Sequence, residues 1–127
     1  MPEKLLYEYA LIRILPSVER GEFVNVGLAM MCKRSRWLKV EIAVNEARLR
    51  AIAGSVDTSA MVAQLASFSL VASGCRNGGP IAQLPVEERF RWLTAVRSAS
   101  LRTSRPHPGL TTDLEATFSR LMEQLVL

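Results

Sequence analysis

The sequence predicts an α+β fold: an antiparallel meander sheet of three to five strands covered by helices, in a single domain over residues 1–127. The first 44 residues hold three aromatic and β-branched runs divided by short polar turns. From Asn45 onward the apolar spacing changes to the three-and-four rhythm of helices. No internal repeat, low-complexity segment or linker divides the chain.

Tyr7–Leu15 reads as the first strand and ends at Pro16. Phe23–Cys32 reads as the second, reached through the polar loop Pro16–Gly21. Lys33–Arg36 is a turn, and Trp37–Val44 is a third strand with Leu38, Val40, Ile42 and Val44 alternating. Asn45 is an N-cap, with Val44 and Leu49 as a hydrophobic staple, and Gly54 ends that helix. Asp57 or Thr58 caps the next, which aligns Met61, Leu65, Phe68 and Ala72 and stops at Gly74. Arg76–Pro80 is a loop, and Ile81–Leu84 has the length of a brief edge strand. Pro85 introduces a helix over Val86–Val96 with Phe90 and Leu93 inward. Ser98–Pro108 reads as irregular or extended, anchored by Leu101. Thr112 and Glu115 form a capping box for a last helix that aligns Leu114, Phe118, Leu121 and Leu125.

With 127 residues, 49% apolar and 22% charged, the chain can bury about two-thirds of its unfolded surface without staples. No apolar run approaches the roughly 18–20 residues of a membrane span, and the start M-P-E-K has no signal-peptide pattern. Cys32 and Cys75 do not make a disulfide framework, so free thiols in the cytoplasm are expected, Cys32 as a small buried hydrophobe. The net charge is +4. Between Glu88 and Asp113 lie Arg89, Arg91, Arg97, Arg102 and Arg105 and no acid, and Lys33, Arg34, Arg36 and Lys39 form a second basic cluster. Were both on one face, an anionic partner would fit there.

The standard catalytic and metal signatures are absent, and no cofactor or metal is implied. The single histidine, His107, lies between two prolines. Attention therefore falls on the hairpin P-S-V-E-R-G-E-F-V-N-V-G at Pro16–Gly27, where Asn25 replaces the aliphatic residue expected in a buried strand. If Leu15 faces Glu22, Arg13 and Glu22 become diagonal neighbours. A register shifted by one residue sets Arg13 opposite Asn25. The group either fixes register and ties a later chain segment, or recognises an anion through Arg13, Arg20 and Asn25.

The runs Y-E-Y-A-L-I-R at Tyr7–Arg13 and P-S-V-E-R-G-E-F-V-N-V-G resemble the opening of the bacterial family called domain of unknown function 3037. E-R-F-R-W-L-T at Glu88–Thr94, H-P-G-L at His107–Leu110 and the final amphipathic helix are similar to its later parts. The resemblance implies a small cytoplasmic bacterial protein acting as accessory to a kinase-like partner of the HipA group. It also implies that the two motif regions, Arg13–Glu22–Asn25 and Glu88–Arg89–Arg91–Trp92, meet as one site.

The expected function is thus a non-enzymatic binding module for a protein partner or an anionic ligand, using Arg13, Arg20, Glu22, Asn25, Arg89, Arg91, Arg105 and His107. One alternative is an enzyme acting on a phosphate-bearing or nucleic-acid substrate, with Glu22 as base or metal ligand, Arg13 as charge stabiliser and Asn25 orienting. Another is a nucleic-acid-binding protein using the arginine-rich segment after Glu88.

Overall fold

The computed structural model describes residues 3–74, 76–95 and 100–127. Cys75, Arg97 and the predicted helix end at Val96 lie outside them. Strands β1 (Leu5–Ile14), β2 (Val24–Cys32) and β3 (Trp37–Ile42) form the expected meander. Helices α1 (Glu46–Ala53), α2 (Ser59–Ser73) and α3 (Val86–Thr94) follow, then β4 (Leu101–Thr103), β5 (His107–Thr111) and α4 (Leu114–Leu125). The fold is α+β, built on an open five-stranded antiparallel sheet.

β1 is the axis of the sheet. One edge pairs with β2, and the other pairs with β5 along Leu5–Tyr9 and with β4 along Ile12–Ile14. Its alternation sends Tyr7 and Leu11 to the face covered by α4, where Leu28, Met30, Phe118, Leu121 and Met122 complete a core. Ile12 and Ile14 point the other way, into Val24, Val26, Leu49, Leu65, Phe68 and Leu93. A satellite cluster joins Ala10, Ala29 and Met31 to Val86 and Phe90 of α3. The sheet therefore lies between α4 on one face and α1, α2 and α3 on the other.

A β-bulge between β1 and β2 decides where the polar residues point. Ile12 pairs with Gly27 and Arg13 with Asn25, so Val26 is an extra residue without a partner on β1. Its carbonyl instead accepts from the Ala43 amide at 2.7 Å. The extra residue reverses the alternation of β2: Val24 and Val26 enter the core beneath α1 and α2, and Asn25 turns toward α4. Gly27 is required here, because a Cβ would stand 2.8 Å from Ile42 Cδ1 and 2.9 Å from the Glu41 carbonyl.

Three sequence expectations are corrected and one is sharpened. Pro80–Gln83 is a 3-10 turn rather than an edge strand, with Ala82 and Leu84 amides bonding carbonyls three residues back. The stretch Ser98–Pro108, read as irregular or extended, contributes extended chain as β4 and the start of β5. Its prolines fit because β5 lies at the sheet edge, where a missing N–H is tolerated. The cap of α4 is Asp113, whose side chain accepts from the Ala116 amide at 3.0 Å, while Glu115 bonds Lys39 and Trp37 instead of closing a capping box with Thr112. On α2 the buried face runs through Leu65, Phe68 and Val71, and Ala72 is only half-buried. The Asn45 cap of α1, the Gly54 and Gly74 stops and the buried Cys32 are as expected.

Candidate functional site

The hairpin adopts the register that sets Arg13 opposite Asn25. Arg13 donates through Nε to Asn25 Oδ1 at 3.2 Å, and its guanidinium carbon lies 4.2 Å from the Phe23 ring centre. Partial burial draws its pKa below the usual arginine value, yet arginine keeps its charge at physiological pH. Asn25 donates in turn from Nδ2 to the Leu125 carbonyl at 3.1 Å. Arg48, reaching from α1, donates to the main-chain oxygens of Val126 at 3.0 Å and Leu127 at 3.3 Å. The last carbonyls of a helix lack intrahelical partners and carry partial negative charge, so an amide and a guanidinium satisfy them well. Asn25 therefore ties the C-terminal end of α4 to the sheet, the structural reading of that residue.

Glu22 takes no part in this. It pairs with Arg20 on the exposed turn, and no bond joins it to Arg13 or Asn25. The register that would have made Arg13 and Glu22 diagonal neighbours is not adopted.

The second motif region lies on the other side of the sheet. Arg89 donates from Nε to the Leu84 carbonyl at 2.9 Å and from Nη1 to the carbonyls of Val71 at 3.1 Å and Ala72 at 2.9 Å. It thus caps the C-terminal end of α2 as Asn25 caps α4. Since α3 packs on the face opposite α4, the two motif groups do not form one site. That expectation is corrected, and the cause is the sheet that separates them. Arg105 is exposed on the β4–β5 connection, and exposed His107 stacks at 5.3 Å against Tyr9 on the α4 face.

What α3 does create is a trough. Leu6 and Leu110 stand directly opposite each other on β1 and β5 and are each 62% exposed. Beside them a cavity of 390 Å³ opens between the sheet and α3, floored by Leu6, Met31 and Phe90, with Glu8, Glu87, Lys33 and Arg91 among its lining. A neighbouring depression shares Leu6 and Lys33 and adds Lys4, Arg34 and Leu110. Arg34 is engaged by Glu3, but among the described residues Lys4, Lys33 and Arg91 have no ion-pair partner. This is an apolar floor whose rim carries both signs of charge, with further basic groups in the neighbouring depression.

One residue that matters, Ser104, was not singled out from the sequence, and Arg102 was named there only within the arginine-rich segment. Ser104 is buried, accepts from the Leu11 amide at 2.8 Å and donates to the Arg105 carbonyl at 3.1 Å, closing the gap between β4 and β5. Arg102 pairs with Arg13 across β4 and β1. Only the pairing of β4 could have revealed either role. Among the described residues, no group of three or more His, Cys, Asp or Glu could hold a metal ion, and no helix is long and apolar enough to cross a membrane.

The family model described as "Protein of unknown function (DUF3037)" matches residues 9–126, nearly the whole chain. No curated protein and no solved structure matches it.

Proposed function

The chain belongs to the family of proteins of unknown function DUF3037, and from that premise we propose that it is a non-enzymatic accessory module of the cytoplasm. In this reading it engages a protein partner, with a kinase-like protein of the HipA group as the first candidate. The observation that carries the proposal is the exposed pair Leu6 and Leu110 beside the cavity under α3, which Lys33, Arg91, Glu8 and Glu87 line, with Lys4 in the neighbouring depression. Exposed leucines opposite one another on a sheet edge, with an apolar cleft alongside, form a contact patch for a protein segment. The rim, which carries both signs of charge, favours a segment with complementary charged residues around an apolar centre.

The layout of the remaining groups supports this over the alternatives. An enzyme using Glu22 with Arg13 and Asn25 needs those groups together, and Glu22 is bonded to Arg20. A nucleic-acid groove needs its cations on one surface. Here Arg89 is consumed in capping α2, Arg91 lines the trough and Arg102 projects from the opposite face.

Titration calorimetry of the purified chain with the kinase-like protein tests the reading. The expected result is a stoichiometric complex that Leu6→Asp with Leu110→Asp weakens at least tenfold, while Arg20→Ala leaves it unchanged. Absence of a complex, or full affinity in the double variant, overturns it.

A further inference from the structure

Arg13 and Arg102 occupy directly opposed positions on β1 and β4, so both side chains leave the sheet on the α4 face. The register is held on either side by the Leu15 amide bonding the Ser100 carbonyl at 2.7 Å and the Ser104 amide bonding the Leu11 carbonyl at 2.8 Å. Like charges in this relation repel, and a protein ordinarily places an acid between them. None is there. Among the described residues the ion pairs are Arg20–Glu22, Arg34–Glu3 and Lys39–Glu115, and none reaches Arg13 or Arg102.

The local acceptors are already engaged. Asn25 Oδ1 takes Arg13 Nε, the Leu125 carbonyl takes Asn25 Nδ2, and the oxygens of Val126 and Leu127 take Arg48. Arg102 Nε is buried and has no hydrogen-bond partner. A buried donor of a charged group without an acceptor is costly and calls for an explanation.

We propose that Arg13 and Arg102 together bind a phosphate monoester dianion on the α4 face of the sheet. A ligand at this position accepts from two guanidiniums and offsets two positive charges. A carboxylate or a phosphodiester brings one negative charge, whereas a phosphate monoester brings close to two at neutral pH and three oxygens that suit guanidinium forks. Phe23, 46% exposed beneath Arg13, offers apolar surface to the organic part of the ester. The site lies across the sheet from the Leu6–Leu110 trough and stands or falls without it.

The test follows the Arg Nε–Hε resonances of the 15N-labelled protein at low ionic strength during titration with phenyl phosphate and, separately, inorganic phosphate. The expected result is saturable movement of the Arg102 and Arg13 signals. In Arg102→Met the Arg13 signal responds at least tenfold more weakly, and Arg102→Lys, which keeps the charge but loses the fork, is weakened too. Arg50→Ala, on α1 across the sheet, responds as wild type. Tighter binding of phenyl phosphate assigns the site to the ester, and equal binding assigns it to the phosphoryl group alone; both support the pair. No saturable movement with either probe, or wild-type affinity in Arg102→Met, overturns the proposal.

Discussion

Asn25 donates to the carbonyl of Leu125 at 3.1 Å, joining the second strand to the end of the last helix across 100 residues of sequence. The same side chain accepts from Arg13, so one amide links β1, β2 and α4. Replacing it with Ala leaves a half-buried guanidinium and a helix-end carbonyl without their partner. Asn25→Ala is expected to lower stability by about 1–3 kcal/mol, read as a lower urea midpoint, with hydrogen exchange quickening first in the last turn of α4. Unchanged exchange there would contradict the brace.

The bulge makes a separate prediction. A Cβ at position 27 meets Ile42 Cδ1 at 2.8 Å, the Glu41 carbonyl at 2.9 Å and Ile12 Cδ1 at 3.2 Å. The carbonyl belongs to a paired strand and has little room to retreat. Gly27→Ala should therefore cost about 1–3 kcal/mol through overpacking. Gly21, with nothing within 4 Å of a built Cβ, has no such steric conflict, although its φ of +71° strains any L residue. Thermal unfolding of Gly27→Ala against wild type measures the effect.

These two residues also show what could be seen in the sequence and what could not. The meander, the Asn45 cap and the oddity of Asn25 follow from local pattern, and all three are in the structure. Which of two registers Arg13 adopts depends on Val26 being extruded. A single glycine in an apolar run does not announce that. That Arg102 opposes Arg13 becomes visible only when β4 docks on β1, and the prolines at 106 and 108 disguise that pairing. The belief that the two motif regions meet failed for a topological reason: α3 and α4 cover opposite faces of the sheet.

Arg89 shows the same division between local and distant causes. Its charge is plain in the sequence, but its partners are the carbonyls of Val71 and Ala72 at the end of α2 and of Leu84 before α3. Arg89→Met should lower stability by about 2 kcal/mol. Arg89→Lys should recover less than half of it, because an ammonium cannot reproduce the planar fork that spans three carbonyls. Chemical denaturation of the three proteins settles it, and full rescue by Lys would show that charge alone matters.

The helix cap offers a direct comparison between neighbours. Asp113 Oδ1 accepts from the Ala116 amide, whereas Thr112 is exposed and makes no hydrogen bond with that helix. Asp113→Ala is expected to cost about 1 kcal/mol, and Thr112→Ala less than about 0.5 kcal/mol. Reversed magnitudes would restore the capping box that the sequence suggests.

Glu115, freed from capping, bonds Lys39 at 2.7 Å and Trp37 Nε1 at 3.4 Å. The hydrogen bond from Lys39, aided by its charge, holds the Glu115 carboxyl below the ordinary glutamate value. A carboxyl depressed in the folded state stabilises fully above its unfolded pKa, about 4.3, and loses that contribution as pH falls through the lower folded value. Glu115→Gln should therefore be less stable than wild type above about pH 4.5. As the solution is acidified further, wild type should lose stability faster and the two should converge. Because the pair is exposed, added salt should shrink the difference at neutral pH. Unfolding followed by tryptophan fluorescence across this pH range, with and without salt, measures both effects. A gap that persists undiminished into acid would place the cost of Glu115→Gln in packing rather than in the ion pair.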